Sequence, residues 1–168
     1  MTLVLNTNSY VDSTSADTYF VTRIDSATWD AAADSLKEEA LVTATQIIDN
    51  HPWIGSAVSS SQALAWPRKN VIYFDDRMGQ SITVGNTVVP IAVKIAVYEQ
   101  ALHLLNNEDL LAQTTQTFES ISIGSISLSD SNNDVTRTSI KPDIVMRPLR
   151  PFIRKGVSGM GQSWWRSN

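Results

Sequence analysis

The chain has 168 residues, of which 42% are hydrophobic, and it contains no cysteine. This length predicts one domain with one ordinary core, and the lack of cysteine excludes disulfides, thiolate catalysis and cysteine-based zinc sites. No apolar run is long enough to span a membrane, and the N-terminus has no basic leader before an apolar segment. We therefore expect a protein that is kept in a cytosol-like compartment and has no membrane partner.

The net charge of -4 is divided unevenly along the chain. Residues 1–134 carry 6 Lys/Arg against 16 Asp/Glu, whereas residues 135–168 carry 7 against 1, so the two parts have net charges of -10 and +6. An acidic body with a basic end predicts that the end meets an acidic partner. The candidates are a protein surface, nucleic acid, or a neighbouring copy of the same body.

Two helices are predicted in the first third of the chain. In "DSTSADTYFVTR" one of the hydroxyl residues at positions 13–15 is the expected N-cap of a short helix. In "SLKEEALVTATQIIDNH" we expect Ser35 to cap a longer helix, with Glu38 at the capping-box position and the end before Pro52. The predicted apolar stripe of this second helix is Leu36, Ala40, Ala44, Ile47 and Ile48.

The sequence between Trp53 and Val89 predicts irregular structure, with a small hairpin turning through Gly85 and Asn86. Pro90 then opens a third helix at a favoured first position. We expect the second and third helices to form the core pair. The predicted stripe of the third helix is Ile91, Ile95, Tyr98, Leu102 and Leu105, at helical spacing.

Alternation of serine with apolar residues predicts a β-hairpin at about residues 118–140. The alternation in "FESISIGSISLSD" slips at Gly124, which we interpret as a bulge in the first strand. "DSNND" is the predicted turn and "VTRTSI" the returning strand. Because an isolated hairpin is marginal in water, we expect this one to contact the tail of a larger assembly or a neighbouring subunit. The predicted contact residues are Ile121, Ile123, Ile126 and Leu128.

The C-terminal region is predicted to contain one more short helix and an arm. Pro142 begins the helix, and Pro148 and Pro151 restrict its length. The arm, "GVSGMGQSWWRSN", is rich in glycine and serine and ends close to a pair of tryptophans. The expected fold is mainly α: a small bundle of three to four helices with a projecting β-hairpin and an extended C-terminal arm. Residues 1–155 form the helical domain and residues 156–168 the arm.

No catalytic, metal-binding or cofactor-binding motif is evident. His51 lies at a helix end and His103 within a helix, where structural roles are more common than catalytic ones. Asp75 and Asp76 could bind a hard cation, but adjacent carboxylates in a loop more often form a solvated turn. Neither a phosphate-binding glycine loop nor a dinucleotide fingerprint is present. We expect a protein that is not an enzyme and has no metal or cofactor.

The stretch "QALAWPR", residues 62–68, places a tryptophan before a proline in a polar loop. Pro67 disfavours a helical backbone at Trp66, so we expect the indole to plug the helix pair. Arg68 is expected to emerge into solvent.

An ordered set of motifs covers about residues 9–106: "YVDSTSADTYFVTR", Trp29, "ALVTATQIIDN", Trp53 with Gly55, "QALAWPR" and "VPIAVKIAVYEQALHLL". This set resembles the head–tail connector proteins of tailed bacteriophages, which are also called adaptor or head completion proteins. Similar sequences are also described as DnaT-like single-stranded DNA-binding proteins. The resemblance does not extend to the serine-rich hairpin or to the arm.

The connector resemblance implies a structural virion protein at the head–tail interface, assembled in the host cytoplasm. Such proteins form a homo-oligomeric ring, usually of twelve copies, which binds the portal protein and extends the DNA channel. The ring also attaches the tail or the next connector protein. Double-stranded DNA would pass through the lumen without specific binding, and an acidic body suits that passage.

Two roles are open for the basic, tryptophan-ended region. In the first, arginine and tryptophan anchors dock into grooves of the portal ring. In the alternative, the chain is a DnaT-like single-stranded DNA-binding module whose tryptophans stack on bases while the cations follow the backbone. A third arrangement folds the tryptophans back onto the protein's own body. The residues involved are Arg150, Arg154, Lys155, Trp164, Trp165 and Arg166.

Overall fold

The structure is a computed structural model that describes residues 2–106, 121–123, 126–128 and 142–154. These residues form a helix-rich fold with short antiparallel hairpins, in agreement with the predicted helical class; α2 was not predicted. The helices are α1 (Ser13–Phe20), α2 (Ala27–Ala31), α3 (Asp34–Asp49), α4 (Ile91–Asn106) and α5 (Pro142–Leu149), followed by the 3-10 turn η1 (Arg150–Phe152). The paired strands are β1 (Ser56–Ala57) with β2 (Arg68–Lys69), β3 (Ile72–Asp75) with β4 (Gln80–Thr83), and β5 (Ile121–Ile123) with β6 (Ile126–Leu128).

Helix α4 is the central element, since α2, α3 and α5 all pack against it. The predicted pairing of α3 with α4 is therefore confirmed. The predicted one-sided stripe of α4 is wrong at its start, because the Ile91 side chain is 76% exposed. Burial instead continues around the helix and includes the polar residues Glu99 and Gln100. A helix with neighbours on several sides has little surface left for solvent.

The helix starts differ from the predicted caps. The Asp12 carboxylate accepts a hydrogen bond from the Ser15 backbone N–H at 2.7 Å, so the cap of α1 lies one residue before positions 13–15. This bond holds the pKa of Asp12 below its ordinary value. Helix α3 begins after Ala33 without a side-chain cap, and the predicted capping box is wrong. Glu38 instead accepts from the Leu3 backbone N–H at 3.3 Å.

Helix α3 buries most of its predicted stripe. Leu36 is the exception, because it lies in the first turn of the helix and is exposed. The predicted end before Pro52 is confirmed, since the helix finishes at Asp49. The stripe residues Ala40, Ala44 and Ile48 are buried, and Ile47 packs against the core from its edge.

The hairpin in the middle of the chain is β3–β4, and the predicted turn through Gly85 and Asn86 is wrong. The reversal lies between Asp75 and Gln80, which are partners in the register. Gly79 has a φ of 63°, a backbone conformation that glycine adopts without strain. The Asp75 carboxylate supports the reversal by accepting from the Arg77 backbone N–H at 2.9 Å. Asp75 is buried, so the prediction of a solvated turn fails there.

The third hairpin also differs from its prediction. Ile121 pairs with Leu128 and Ile123 with Ile126, so the two halves of "ISIGSISL" pair with each other. Gly124 therefore separates two strands, and the predicted bulge within one strand is wrong. The predicted turn "DSNND" and returning strand "VTRTSI" lie outside the described residues.

Candidate functional site

A cluster of packed aromatic side chains lies beneath the candidate site. Trp66 packs edge-on against Trp53 and Phe152, with ring centroids 5.6 and 5.9 Å apart. The ring centroid of Tyr73, in β3, lies 4.7 Å from that of Phe152. Trp66 is buried as predicted, and its ring contacts are with Trp53 and Phe152. The cluster joins the loop after α3, the "QALAWPR" segment, strand β3 and η1 into one surface.

Arg68 does not emerge into solvent as predicted. Its half-buried guanidinium donates hydrogen bonds to the backbone carbonyls of Ile54, Gly55 and Ala65, at 2.8, 2.9 and 3.2 Å. Three carbonyls satisfy much of this donor fork, so Arg68 acts as a clamp between two loops. Burial lowers the pKa of Arg68, and the nearby charge of Arg154 adds to this effect.

The segment from α5 to Arg154 is fixed to the body on its inner side. Val145, Leu149 and Phe152 are buried. The backbone N–H of Ile54 donates to the carbonyl of Phe152 at 2.9 Å, and the N–H of Arg154 donates to the carbonyl of Pro52 at 2.6 Å. Side-chain packing and backbone hydrogen bonds together hold this short segment in one conformation.

Its outer side carries three arginines, Arg147, Arg150 and Arg154, which we call the arginine stripe. All three are exposed: Arg147 lies in α5, Arg150 begins η1, and Arg154 follows η1 by two residues. None forms an ion pair with a carboxylate of residues 2–106. The guanidinium groups are therefore available to bind an anionic partner.

An apolar groove of about 530 Å³ lies beside the stripe, between the β3–β4 hairpin, the start of α4 and the end of α5. Its lining includes Phe74, Val88 and Ile91, which are 57%, 50% and 76% exposed. Pro148 and Phe152 line the side that α5 and η1 contribute. Exposed apolar groups concentrated at one groove are typical of an interaction site. We call this feature the groove.

The structure places only part of the predicted site. Arg150 and Arg154 lie together on the arginine stripe, whereas Lys155, Trp164, Trp165 and Arg166 lie outside the described residues. The predicted contact positions Ile121, Ile123, Ile126 and Leu128 lie on β5 and β6.

The sequence interpretation missed the groove, because its lining comes from three separated parts of the chain. One local signal was present: Ile72 and Phe74 alternate with Tyr73 and Asp75, and the first pair is exposed whereas Asp75 is buried. An apolar outer face on a short hairpin indicates a surface that meets a partner.

The side chains considered for catalysis have structural surroundings. His51 Nδ1 lies 3.0 Å from the carbonyl of Ile48, at the end of α3. The Asp75 carboxylate pairs with Arg77 at 3.1 Å. In the described part of the chain, no group of three or more His, Asp or Glu side chains could hold a metal ion. No helix within those same residues is long and apolar enough to cross a membrane.

Comparison with known proteins identifies one family. The sequence profile of the family described as "Putative DnaT-like ssDNA binding protein" matches residues 2–166, nearly the whole chain. Neither a curated protein nor a solved structure gives a significant match. The match supports the DnaT-like part of the sequence interpretation. None of the comparisons supports the phage head–tail connector part.

Proposed function

Because the chain belongs to the DnaT-like ssDNA-binding family, we propose that it binds single-stranded DNA with the phosphates held along the arginine stripe. The observation that carries this proposal is the exposure of Arg147, Arg150 and Arg154, which have no carboxylate partner among residues 2–106. A guanidinium can donate two parallel hydrogen bonds to one phosphate, and Arg is favoured where planar recognition is needed.

The contacts that fix the backbone of the arginine stripe lower the conformational-entropy cost of binding DNA. Leu149 and Phe152 are buried beneath it, and the backbone of Arg154 is bonded to the loop after α3. Three cations on a fixed backbone lose less conformational entropy on binding than three cations on a disordered arm. Arg68 adds positive charge nearby, because its guanidinium lies close enough to Arg154 for the two charges to interact.

Selectivity for single strands would come from the arm. Lys155 follows Arg154 directly, and the sequence continues to Trp164, Trp165 and Arg166. Unpaired bases can stack on aromatic side chains, which contributes about 1–3 kcal/mol per base, whereas bases within a duplex are already stacked. We propose that the two tryptophans stack on bases while the stripe holds the backbone.

The salt dependence of oligonucleotide binding tests this proposal. Fluorescence anisotropy with labelled poly-dT would measure the affinity of the full chain over a range of salt concentrations. For single strands, the slope of log K against log salt is about -0.7 per phosphate contact. Replacing all three stripe arginines by glutamine should therefore make the slope shallower by about 2. Replacing Trp164 and Trp165 by alanine should weaken binding with little change in slope.

A matched control removes one positive charge elsewhere. Lys37 is bonded to Asp17 at 3.1 Å and is not part of the stripe. We expect Arg150→Gln to change the slope by about 0.7 and Lys37→Gln to leave it unchanged within error. Equal effects of the two variants, or no binding of poly-dT at low salt, would rule out the stripe as a DNA-binding surface.

The connector ring is a second candidate, and the acidic body favours it. Residues 2–106 contain 6 Lys/Arg and 11 Asp/Glu, a charge balance that disfavours an extended DNA-binding groove. In this proposal the stripe, Lys155, Trp164, Trp165 and Arg166 dock on the portal protein, and a twelve-copy ring attaches the tail. Co-sedimentation with portal would separate the candidates: deletion of residues 156–168 should abolish portal binding if the connector proposal is right. Unchanged co-sedimentation would argue against it.

A further inference from the structure

The walls of the groove are apolar and partly aromatic. Tyr73 and Ile82 are partners in the β3–β4 register, so they belong to one face of the hairpin, and both line the groove. The ring of Tyr73 packs against Phe152, another lining residue, and Ile91 at the start of α4 is 76% exposed. The groove volume of about 530 Å³ lies within the range of about 300–1,000 Å³ that is typical of small-molecule sites. The groove therefore offers apolar contacts and enough room for a planar ring.

One wall of the groove adjoins the arginine stripe. Pro148 and Pro151 line the groove, and they directly follow Arg147 and Arg150 in the chain. Because consecutive Cα atoms are only about 3.8 Å apart, two of the stripe arginines are attached next to this wall. The positive charge beside an apolar cleft favours a ligand in which flat apolar groups alternate with negative groups.

The other end of the groove, at the turn between β3 and β4, disfavours phosphate. Asp75 is buried and its carboxylate pairs with Arg77 at 3.1 Å, so these two charges largely cancel. Asp76 is exposed and adds a carboxylate to the lining. Like charges repel, so a bound anionic group is favoured at the arginine side. A nucleotide in the groove would therefore have one orientation, with its phosphate on the stripe and its base towards the hairpin.

We propose that the groove receives an unstacked base of a DNA single strand whose phosphates lie on the arginine stripe, and we call the groove in this role the base site. The base site rests on the proposed function, and it is additional to the stacking proposed for Trp164 and Trp165. Every base has a π-face, so contact with the Tyr73 ring tolerates any sequence. A base within a duplex must first be unpaired and unstacked, so the base site adds to the preference for single strands.

A peptide with acidic and apolar side chains would match the same distribution of charge. DNA is favoured over such a peptide, because the chain belongs to the DnaT-like ssDNA-binding family. The experiments below separate the two, since only DNA has a form that keeps every phosphate and loses every base.

Abasic DNA tests whether the groove binds a base. Oligo-dT and an abasic oligonucleotide of equal length carry the same phosphates, so the difference in affinity measured by fluorescence anisotropy reports base contacts. Tyr73→Ala should weaken the binding of oligo-dT about ten-fold, within the range expected for one lost stacking contact. The same variant should weaken the binding of abasic DNA by less than about two-fold. Tyr73→Phe keeps the ring and should recover most of the lost affinity.

A second pair of variants keeps the test valid if Tyr73→Ala unfolds. Ile91→Ala removes an exposed side chain from the groove lining, and should weaken the binding of oligo-dT about three-fold. The matched control Ile24→Ala removes the same atoms at a fully exposed position outside the lining, and should bind as the wild type does. Circular dichroism and urea midpoints would establish that all variants retain the fold.

The variant with Trp164→Ala and Trp165→Ala tests whether the base site acts separately from the arm. If the groove and the tryptophans contact different bases, Tyr73→Ala should weaken the binding of oligo-dT by the same factor with and without the tryptophans. If Tyr73→Ala has no effect once the tryptophans are removed, the tryptophans occupy the groove themselves and the base site is wrong.

Failure of the base site can be told from failure of the proposed function. The base site is overturned if Ile91→Ala and Ile24→Ala bind oligo-dT equally, or if Tyr73→Ala weakens oligo-dT and abasic DNA alike. A salt slope that still depends on the stripe arginines would then leave the stripe proposal standing and assign the groove to a protein partner. If the wild type binds neither oligonucleotide, or the stripe arginines do not affect the slope, the proposed function is wrong and the base site with it.

Discussion

Asp49, at the end of α3, is expected to be one of the most sensitive positions for stability. Its carboxylate accepts hydrogen bonds from the Tyr10 hydroxyl and from the Ala65 backbone N–H, the latter at 2.8 Å. The Tyr10 hydroxyl in turn accepts from the Trp66 backbone N–H at 3.0 Å. One carboxylate thus joins the N-terminal segment, α3 and the "QALAWPR" loop, and it holds Trp66 beneath Phe152 and the arginine stripe.

The substitution Asp49→Ala should lower the free energy of unfolding by about 3 kcal/mol. Two donors, one of them the hydroxyl of the buried Tyr10, lose their acceptor, and each unsatisfied buried donor costs about 1–3 kcal/mol. Removing a negative charge from a helix C-terminus returns about 0.3–1 kcal/mol. Urea unfolding followed by tryptophan fluorescence would measure the difference.

Asp34→Ala is the control for this prediction. It is the same substitution at the other end of the same helix, where Asp34 is exposed in the first turn and accepts no side-chain hydrogen bond at a cap. Loss of its favourable interaction with the helix dipole should cost no more than about 1 kcal/mol. If Asp49→Ala and Asp34→Ala change the unfolding free energy by the same amount, the buried network contributes nothing and the reasoning is refuted.

Two further predictions concern the backbone and the buried phenols. Gly55→Ala should cost more than about 2 kcal/mol, because Gly55 has a φ of 70° and an added Cβ would lie 2.5 Å from the Lys69 carbonyl oxygen. Gly79→Ala, with a φ of 63° but nothing within 4 Å of the new Cβ, should cost only about 1 kcal/mol, and equal urea midpoints would contradict this. Burial raises the pKa of Tyr10 and Tyr19 above the ordinary value of 10.0, so the unfolded state loses these protons first as pH rises. Stability should therefore be complete below pH 10 and fall above it by about 1.4 kcal/mol per pH unit for each phenol, and Tyr19→Phe should remove one such contribution from the urea-derived slope.

Local sequence signals predicted the long helices well and their ends less well. Pro90 before α4 and Pro52 after α3 mark boundaries because proline restricts the backbone at and before its own position. The cap of α1 was misplaced by one residue, since Asp12 and Ser13 are both good capping residues. Only the folded chain shows which of them reaches a free backbone N–H.

Hairpin turns were predicted poorly, because the local pattern allowed more than one place for each turn. Gly79 and Gly85 both follow apolar strand-like residues, and pairing of β3 with β4 selects Gly79. The segment around Gly124 is similar: serine alternation fits one bulged strand or two short strands equally well. Pairing partners decide such cases, and pairing is a property of the fold.

For the candidate site too, some features follow from the sequence and others only from the fold. The clustering of arginine near the C-terminus and the arm with Trp164 and Trp165 are evident from the sequence. The structure shows that Arg147, Arg150 and Arg154 are exposed on a segment that packs, through Phe152, against Trp66 from a distant part of the chain. No local sequence pattern could predict this long-range packing.

The sequence by itself determined the helical class, the end of α3 and the start of α4, the burial of Trp66 and the separation of an acidic body from a basic end, since each follows from local propensity, proline geometry or composition. The tertiary structure alone decided that Arg68 is a clamp between loops, that α4 is covered on several sides and that an apolar groove lies beside the stripe. Each of these depends on contacts between residues far apart in the chain, and short-range patterns do not encode which distant segments meet.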